Sequence, residues 1–261
     1  MLSDLRLSLR ALVKSPTFTA VAVMTLVLGI GVNAAMFSIV NAIMLRGLPF
    51  PQSDRLMHVG QANPVDNLDS VNLSYQDFID YRAAQTSMLG LAAYYDGTIT
   101  LSGPGQDPER VSGTYISAGG PEMIGVPPSA GRWFRADEDQ PGSAPVIVLS
   151  HTLWQNRYKS DPGIIGRPLK INGEWGTVIG VGPENYRFPD EADAWVPLRY
   201  KKTDEKRDVR FLGVLGRLKD GVSLKQARAE FAAVNQRLVA AHPETNKNFT
   251  SVVRPLQERF V

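Results

Sequence analysis

The chain has 261 residues, 28 Lys+Arg against 26 Asp+Glu, a formal charge of +2 and no cysteine. Hydrophobic residues at 43% and charged ones at 21% match a globular composition, which argues against a disordered chain, a coiled coil or a polytopic membrane protein. Near-balanced charge argues against an electrostatic grip on nucleic acid. Without cysteine there is no thiolate nucleophile, Cys-type zinc site or disulfide framework.

Residues 1–16 read as a cytoplasmic amphipathic segment. Leu2, Leu5, Leu9 and Leu12 recur at helical spacing, with Asp4, Arg6, Arg10 and Lys14 elsewhere, so such a helix would lie along the inner membrane surface. Leu7 interrupts the polar face, and a simple positively charged anchor fits the pattern equally well. Ser15-Pro16 resets the chain direction, because proline suits the first turn of the next helix and disfavours helix before it.

Residues 17–45 are expected to form a transmembrane helix. Thr17 to Leu45 contains no Asp, Glu, Lys, Arg or His, and about 20 apolar residues suffice to cross a bilayer. A buried core helix is an alternative. So is a cleaved signal peptide, but the run exceeds a signal peptide's apolar region and Asn33-Ala34-Ala35 falls inside it. Asn33 and Asn41, with the small residues Gly31 and Ala35, are expected to face other membrane helices. Arg6, Arg10 and Lys14 before the span outweigh Arg46 and Arg55 after it, which places the N-terminus in the cytoplasm. Residues 46–54, with two prolines and a glycine, read as a stiff linker.

Residues 55–261 read as one exported α+β domain. Arg55 to Val59 is a short strand. Ser74 caps a helix to about Gln85, with Asp77 in the third position and Tyr75, Phe78, Ile79 and Arg82 at helical spacing. Strands follow at Leu89 to Leu101 and Arg110 to Ile116, parted by Ser102-Gly103-Pro104-Gly105. Farther on, Arg210 to Leu218 is a strand, Ser223 and Gln226 form a capping box for a helix to about Ala241, and Phe249 to Leu256 is another strand. Leu224, Ala227, Phe231, Val234 and Leu238 give that helix one apolar stripe. Two strand-helix-strand units, with both helices on one sheet face, thus flank a middle region. That region, about 132–200, is expected to be an inserted β-rich subdomain. Its strands are Val146 to Leu149, Pro168 to Ile171, Gly176 to Val181 and Ala194 to Leu198, with a hairpin turn at Asn172-Gly173 and a helix from His151 to Lys159 capped by Ser150.

Motifs for chemistry are missing. There is no phosphate-binding G-x-x-x-x-G-K-[ST] loop, and Ser117-Ala118-Gly119-Gly120 lacks dinucleotide-binding spacing and reads as a turn. Neither a G-x-S-x-G elbow nor an H-E-x-x-H helix occurs. No catalytic, cofactor-binding or metal-binding residue is expected, and His58, His151 and His242 read as ordinary polar positions. The acidic clusters Asp137-Glu138-Asp139 and Asp190-Glu191 with Asp193 read as solvated loops. Lys201, Lys202, Lys206, Arg207 and Arg210 are expected to be cancelled by Asp204, Glu205 and Asp208. Trp133, Trp154, Trp175 and Trp195 are expected to pack a core rather than line a ligand groove.

Three stretches carry a resemblance. Asp4 to Met57 (DLRLSLRALVKSPTFTAVAVMTLVLGIGVNAAMFSIVNAIMLRGLPFPQSDRLM), Ile124-Gly125-Val126 through Ala130-Gly131-Arg132-Trp133-Phe134 with Glu138-Asp139, and Val146 to Pro197 (VIVLSHTLWQNRYKSDPGIIGRPLKINGEWGTVIGV, then YRFP and WVPL) resemble MacB-like ABC transporter permeases, especially the large duplicated permeases of acidobacteria. The resemblance implies an inner-membrane permease of the MacB/FtsX mechanotransmission type. Its first helix leads to a periplasmic core domain of porter-like units with an inserted β-rich subdomain. It further implies a cytoplasmic ABC ATPase partner that binds the ATP, a second permease half or a homodimer, a periplasmic adaptor, and export or extrusion driven from the cytoplasm. Three more membrane helices would follow, so the chain is expected to be the N-terminal part of a longer permease. Gly182 to Tyr186 departs from the family, which often carries a proline-rich turn there. A membrane-anchored periplasmic binding or scaffold module without ATPase coupling is the alternative, and an anchored hydrolase is the least supported reading.

Overall fold

The computed structural model describes residues 14, 16–40, 50–103, 105, 107–189, 191–199 and 206–259. The predicted surface helix, apart from Lys14 and Pro16, and the end of the predicted span at 41–45 lie outside the described residues. Two compact units emerge, residues 1–48 with 261 and residues 49–260. In the first, α1 (Pro16–Val40) is an uninterrupted helix whose Pro16–Ala34 stretch is long and apolar enough to cross a membrane. Its apolar side chains stand exposed, as at Met24 and Leu28.

The second unit is built on one 12-stranded sheet. Its strands are β1 (Leu56–Asn63), β2 (Leu68–Val71), β3 (Leu73–Ser74), β4 (Met88–Ser102), β5 (Glu109–Ile116), β6 (Ala130–Gly131), β7 (Val146–Leu149), β8 (Pro168–Ile171), β9 (Glu174–Val181), β10 (Ala194–Pro197), β11 (Arg210–Leu218) and β12 (Thr250–Pro255). The order is β12-β1-β11-β4-β5-β10-β7-β9-β6, with β2 beside β1, β3 beside β11, and β8 between β4 and β9. Most pairings are antiparallel; β10 runs parallel to β5, and β7 to β9. The helices are α2 (Tyr75–Ala84), α3 (Gly120–Ile124), α4 (His151–Tyr158), α5 (Leu224–Ala241) and α6 (Pro243–Asn246).

Caps fall where side-chain oxygens meet free helix N–H groups. Ser74 accepts from Asp77 N, Ser150 from Leu153 N, and Ser223 with Gln226 closes a capping box. Beneath α2 and α5 lies one core, in which Phe78, Tyr81 and Phe231 pack on Met57, Val59, Leu91, Ala93 and Val214. Each fully buried ring contributes roughly 1.5–3 kcal/mol. Beneath α4 lies another, in which Leu153 and Tyr158 meet Ile99, Leu101, Ile147, Leu149 and Val178. Residues 91, 93, 99 and 101 alternate along the single strand β4, so both cores occupy the same sheet face. Tyr115 packs against both, and the middle strands prolong the sheet through β5 and β10 rather than forming a sheet of their own.

Candidate functional site

The opposite face of the sheet receives the chain as the second unit begins. Trp195 points away from Ala194 and Val196 because side chains alternate along β10, and it builds an aromatic cluster there. Its ring lies 5.6 Å from Trp133 and 5.3 Å from Tyr186. Phe50 joins this cluster, edge-on to Phe188 at 5.2 Å and to Tyr186 at 6.0 Å. The indoles are pinned by their N–H groups, Trp133 to Val126 O at 2.8 Å and Trp195 to Phe188 O at 2.9 Å.

Two residues after Phe50 the backbone is gripped again. Gln52 sits in the left-handed region at φ 50°, and its carbonyl accepts from Arg217 Nη1 at 3.0 Å. The same guanidinium donates to Met123 O at 2.7 Å and Ile124 O at 3.1 Å, closing the C-terminal end of α3. Arg55 donates to Leu218 O and pairs with Asp220. Burial, and then the nearby Arg55, hold Arg217 below its ordinary pKa, with Asp54 acting the other way. The segment 50–55 is therefore fastened at one end to the aromatic cluster of the middle region and at the other to β11. A cleft of about 900 Å³ opens beside it, lined by Pro51, Gln52, Arg82, Leu89, Glu122 and Met123 among others.

A buried polar network holds the α2–α5 layer together. Asp77, with no exposed surface, receives Arg207 at 2.6 Å and Arg210 at 2.5 Å, and Asn246 Nδ2 at 2.9 Å. Arg210 also donates to Gln61 Oε1 at 2.7 Å, Thr245 O at 2.9 Å and Asn246 Oδ1 at 3.0 Å, and its guanidinium lies 4.0 Å from the Phe249 ring centroid. Tyr81 OH donates to Asn235 Oδ1 at 2.8 Å. Burial alone would raise the Asp77 carboxyl; hydrogen bonds from Asn246, Arg210 and Arg207 outweigh it and hold the group below its ordinary value. This arrangement clamps β1, α2, β11, α5 and α6. Among the described residues no group of three His, Cys, Asp or Glu side chains could hold a metal ion.

The profile of the MacB-like periplasmic core domain matches residues 19–234. The chain belongs to that family. Solved structures agree in fold. The periplasmic region of MacB from Actinobacillus actinomycetemcomitans superposes with a TM-score of 0.57 at 14% identity, covering 79% of this chain and 91% of that one. The extracellular domain of the noncanonic ABC-type transporter YknZ from Gram-positive bacteria gives 0.54 at 13% identity, covering 76% and 99%. No curated protein matches the chain at significant similarity.

Within this MacB-like domain several expectations need correction. In the acidic cluster at 137–139 only Asp137 is exposed to solvent: Glu138 receives both terminal nitrogens of Arg132, at 2.8 and 2.6 Å, and Asp139 accepts from Ala118 N at 3.0 Å. Asp193 pairs with Arg187 at 2.6 Å, whereas Asp190 lies outside the described residues. Arg207 and Arg210 are neutralised by Asp77 and, for Arg207, also by Asp80; Lys201, Lys202, Asp204 and Glu205 lie outside the described residues. Ser117 to Gly119 form the expected turn, but Gly120 already belongs to the short helix α3, with Gly119 as its N-cap. His58 is buried with no hydrogen-bond partner for either ring nitrogen among the described residues. His151 opens α4 and His242 ends α5. Trp133 and Trp195 pack in the interior, Trp154 is partly buried with its N–H on Asp161 O at 2.9 Å, and Trp175 is exposed with Lys170 over its ring.

Proposed function

We propose that the chain is the front part of an ABC permease in which a cytoplasmic ATPase drives rearrangement of the periplasmic domain. The observation that carries this reading is the double fastening of residues 50–55. A segment following an apolar helix within about ten residues is locked both to the aromatic cluster and to β11, so a displacement delivered along it reaches both the middle strands and β11. The lack of catalytic motifs in the sequence and the family both favour gripping over bond-making chemistry.

In this reading residues 1–16 lie on the cytoplasmic surface, 17–45 span the inner membrane, 46–54 link, and 55–261 form the periplasmic domain, with 132–200 as its β-rich part. The permease pairs with a second permease half or another copy, and a periplasmic adaptor receives the exported substrate.

Two experiments test it. Because the chain has no cysteine, exposed Lys225 on α5 can be changed to Cys and probed in intact spheroplasts with an impermeant thiol reagent. Labelling is expected; its absence with expression verified refutes the periplasmic placement. Thr152→Cys on α4 and Lys225→Cys on α5 then carry spin labels in the complete permease purified from its own cells. An ABC ATPase should co-purify, and the distance distribution should change during ATP turnover. Repeated failure to recover an ATPase, with a distribution indifferent to ATP, favours the anchored binding or scaffold module.

A further inference from the structure

The sheet face that bears the two cores also bears a cleft of about 360 Å³ near the place where they meet, lined by Tyr95, Tyr115, Pro145, Asn172, Glu174 and Arg199 among others. Its size lies in the range of small-molecule sites, which favour boundaries between packed units. The rings of Tyr95 and Tyr115 stack in parallel, 4.6 Å apart with planes 3° from coincidence, and form a flat aromatic wall. Asn172 donates to Tyr115 OH at 2.8 Å and fixes that ring. Pro141, Pro145 and Pro197 also line the cleft. Proline has no backbone N–H, so an apolar ligand lying against these residues leaves fewer donors dry.

One charge is placed differently from the rest. Arg199 is half-buried, and its guanidinium is pinned by Nη2 to Ala144 O at 2.6 Å and by Nε to Glu138 O at 3.4 Å. Nη1 has no hydrogen-bond partner among the described residues. Burial holds this guanidinium below its ordinary pKa, opposed by Glu174 and Glu138. Glu174, on the hairpin bordering the cleft, is exposed and closes no ion pair with it among the described residues. An exposed carboxylate is satisfied by water, whereas a rigid, half-buried guanidinium with a spare N–H pair is a ready partner for a carboxylate, sulfonate or phosphate.

We propose that this cleft binds a small aromatic anion, its rings against the tyrosine and proline walls and its acidic group on Nη1 of Arg199. One or two rings with a single acidic substituent fit within the cleft's volume. The proposal is independent of ATPase coupling.

The test uses the full chain in lipid nanodiscs, titrated calorimetrically against naphthalene-2-sulfonate and its neutral analogue naphthalene-2-sulfonamide, with empty nanodiscs subtracted. The sulfonate is expected to bind one per chain and about tenfold more tightly than the sulfonamide. Arg199→Met should erase that preference. Glu174→Gln, at an exposed position with no structural bond to lose, should tighten the sulfonate about two- to threefold by removing a like charge. Equal binding of both probes, no saturable heat from either at about millimolar concentration, or a Glu174→Gln affinity equal to the parent's overturns the proposal. Circular dichroism verifies that Arg199→Met is folded; if it is not, the probe pair and Glu174→Gln decide alone. No arm involves the ATPase, so failure here leaves the coupling reading standing, and failure of coupling leaves this site standing.

Discussion

Replacing Asp77 by Asn keeps the shape of the side chain and removes its charge from a site with no solvent exposure. Breaking a buried ion pair by deleting one partner costs about 3–5 kcal/mol, because the remaining charge is left uncompensated. Here the remaining charges are partly provided for. Arg207 retains Asp80 at 2.7 Å. Arg210 retains Gln61 Oε1, the Thr245 carbonyl, Asn246 Oδ1 and the face of Phe249. The expected loss is therefore at the low end, about 3 kcal/mol, which for a domain of this size lowers Tm by about 6–12 °C. Urea denaturation of the unit beginning at residue 49, followed by circular dichroism, measures it. Asp80→Asn is the control, since its carboxylate is more than a third exposed and such pairs contribute about 0–1 kcal/mol. A Asp77→Asn loss below about 1 kcal/mol, or one equal to the control's, would refute the clamp. The same carboxyl dictates a pH response. Its folded pKa lies below the unfolded value, so its contribution is complete above about pH 4 and disappears as pH falls through the folded pKa; Asp77→Asn should flatten the acid limb of the stability curve.

His58 predicts a second pH response at milder acidity. Burial first, then Arg254 and Arg259, lower its pKa from 6.5 to about 4, so the unfolded chain takes up a proton that the folded one refuses. Stability should be complete above about pH 6.5 and fall by about 3 kcal/mol toward pH 4, and His58→Leu should remove that slope in denaturation curves measured across the range. Gly131 has φ +70°, and a Cβ there would sit 2.2 Å from Ile179 O. Gly131→Ala should cost more than about 2 kcal/mol, while Gly142→Ala, at φ +84° in open space, should cost about 1 kcal/mol; equal losses would show that the β6–β9 contact yields freely. Phe50→Ala should cost about 2 kcal/mol, roughly half the value for a fully buried ring, and near-UV circular dichroism should report loosening of the Trp133–Trp195 pair; an unchanged spectrum and Tm would detach Phe50 from the cluster.

Local signals were legible wherever neighbours along the chain settle the matter. Ser74, Ser150 and Ser223 each stand where a helix begins, because a hydroxyl two or three residues before a free N–H needs no tertiary context. Asn172 and Gly173 both take positive φ, and the strands on either side pair antiparallel with Ile171 opposite Glu174, two residues earlier than the expected strand start at Gly176. Ala227, Phe231, Val234 and Leu238 occupy one buried stripe of α5 as their spacing demands. The short β2 and β3 escaped notice: β2 is exposed and nearly without apolar alternation, and β3 is two residues long.

Composition and order determined an apolar N-terminal helix, an α+β body, the family, and the absence of local catalytic motifs, since each depends on residues within a turn or two of one another. Tertiary structure alone decided that the middle strands extend one sheet, that Asp77 meets Arg207 and Arg210, and that Phe50 and Gln52 are held by different elements. The last two outcomes join residues separated by more than a hundred positions. Only chain closure brings such groups within a few ångströms, and burial then turns charges that look cancelled or solvated along the sequence into the fastenings of the fold.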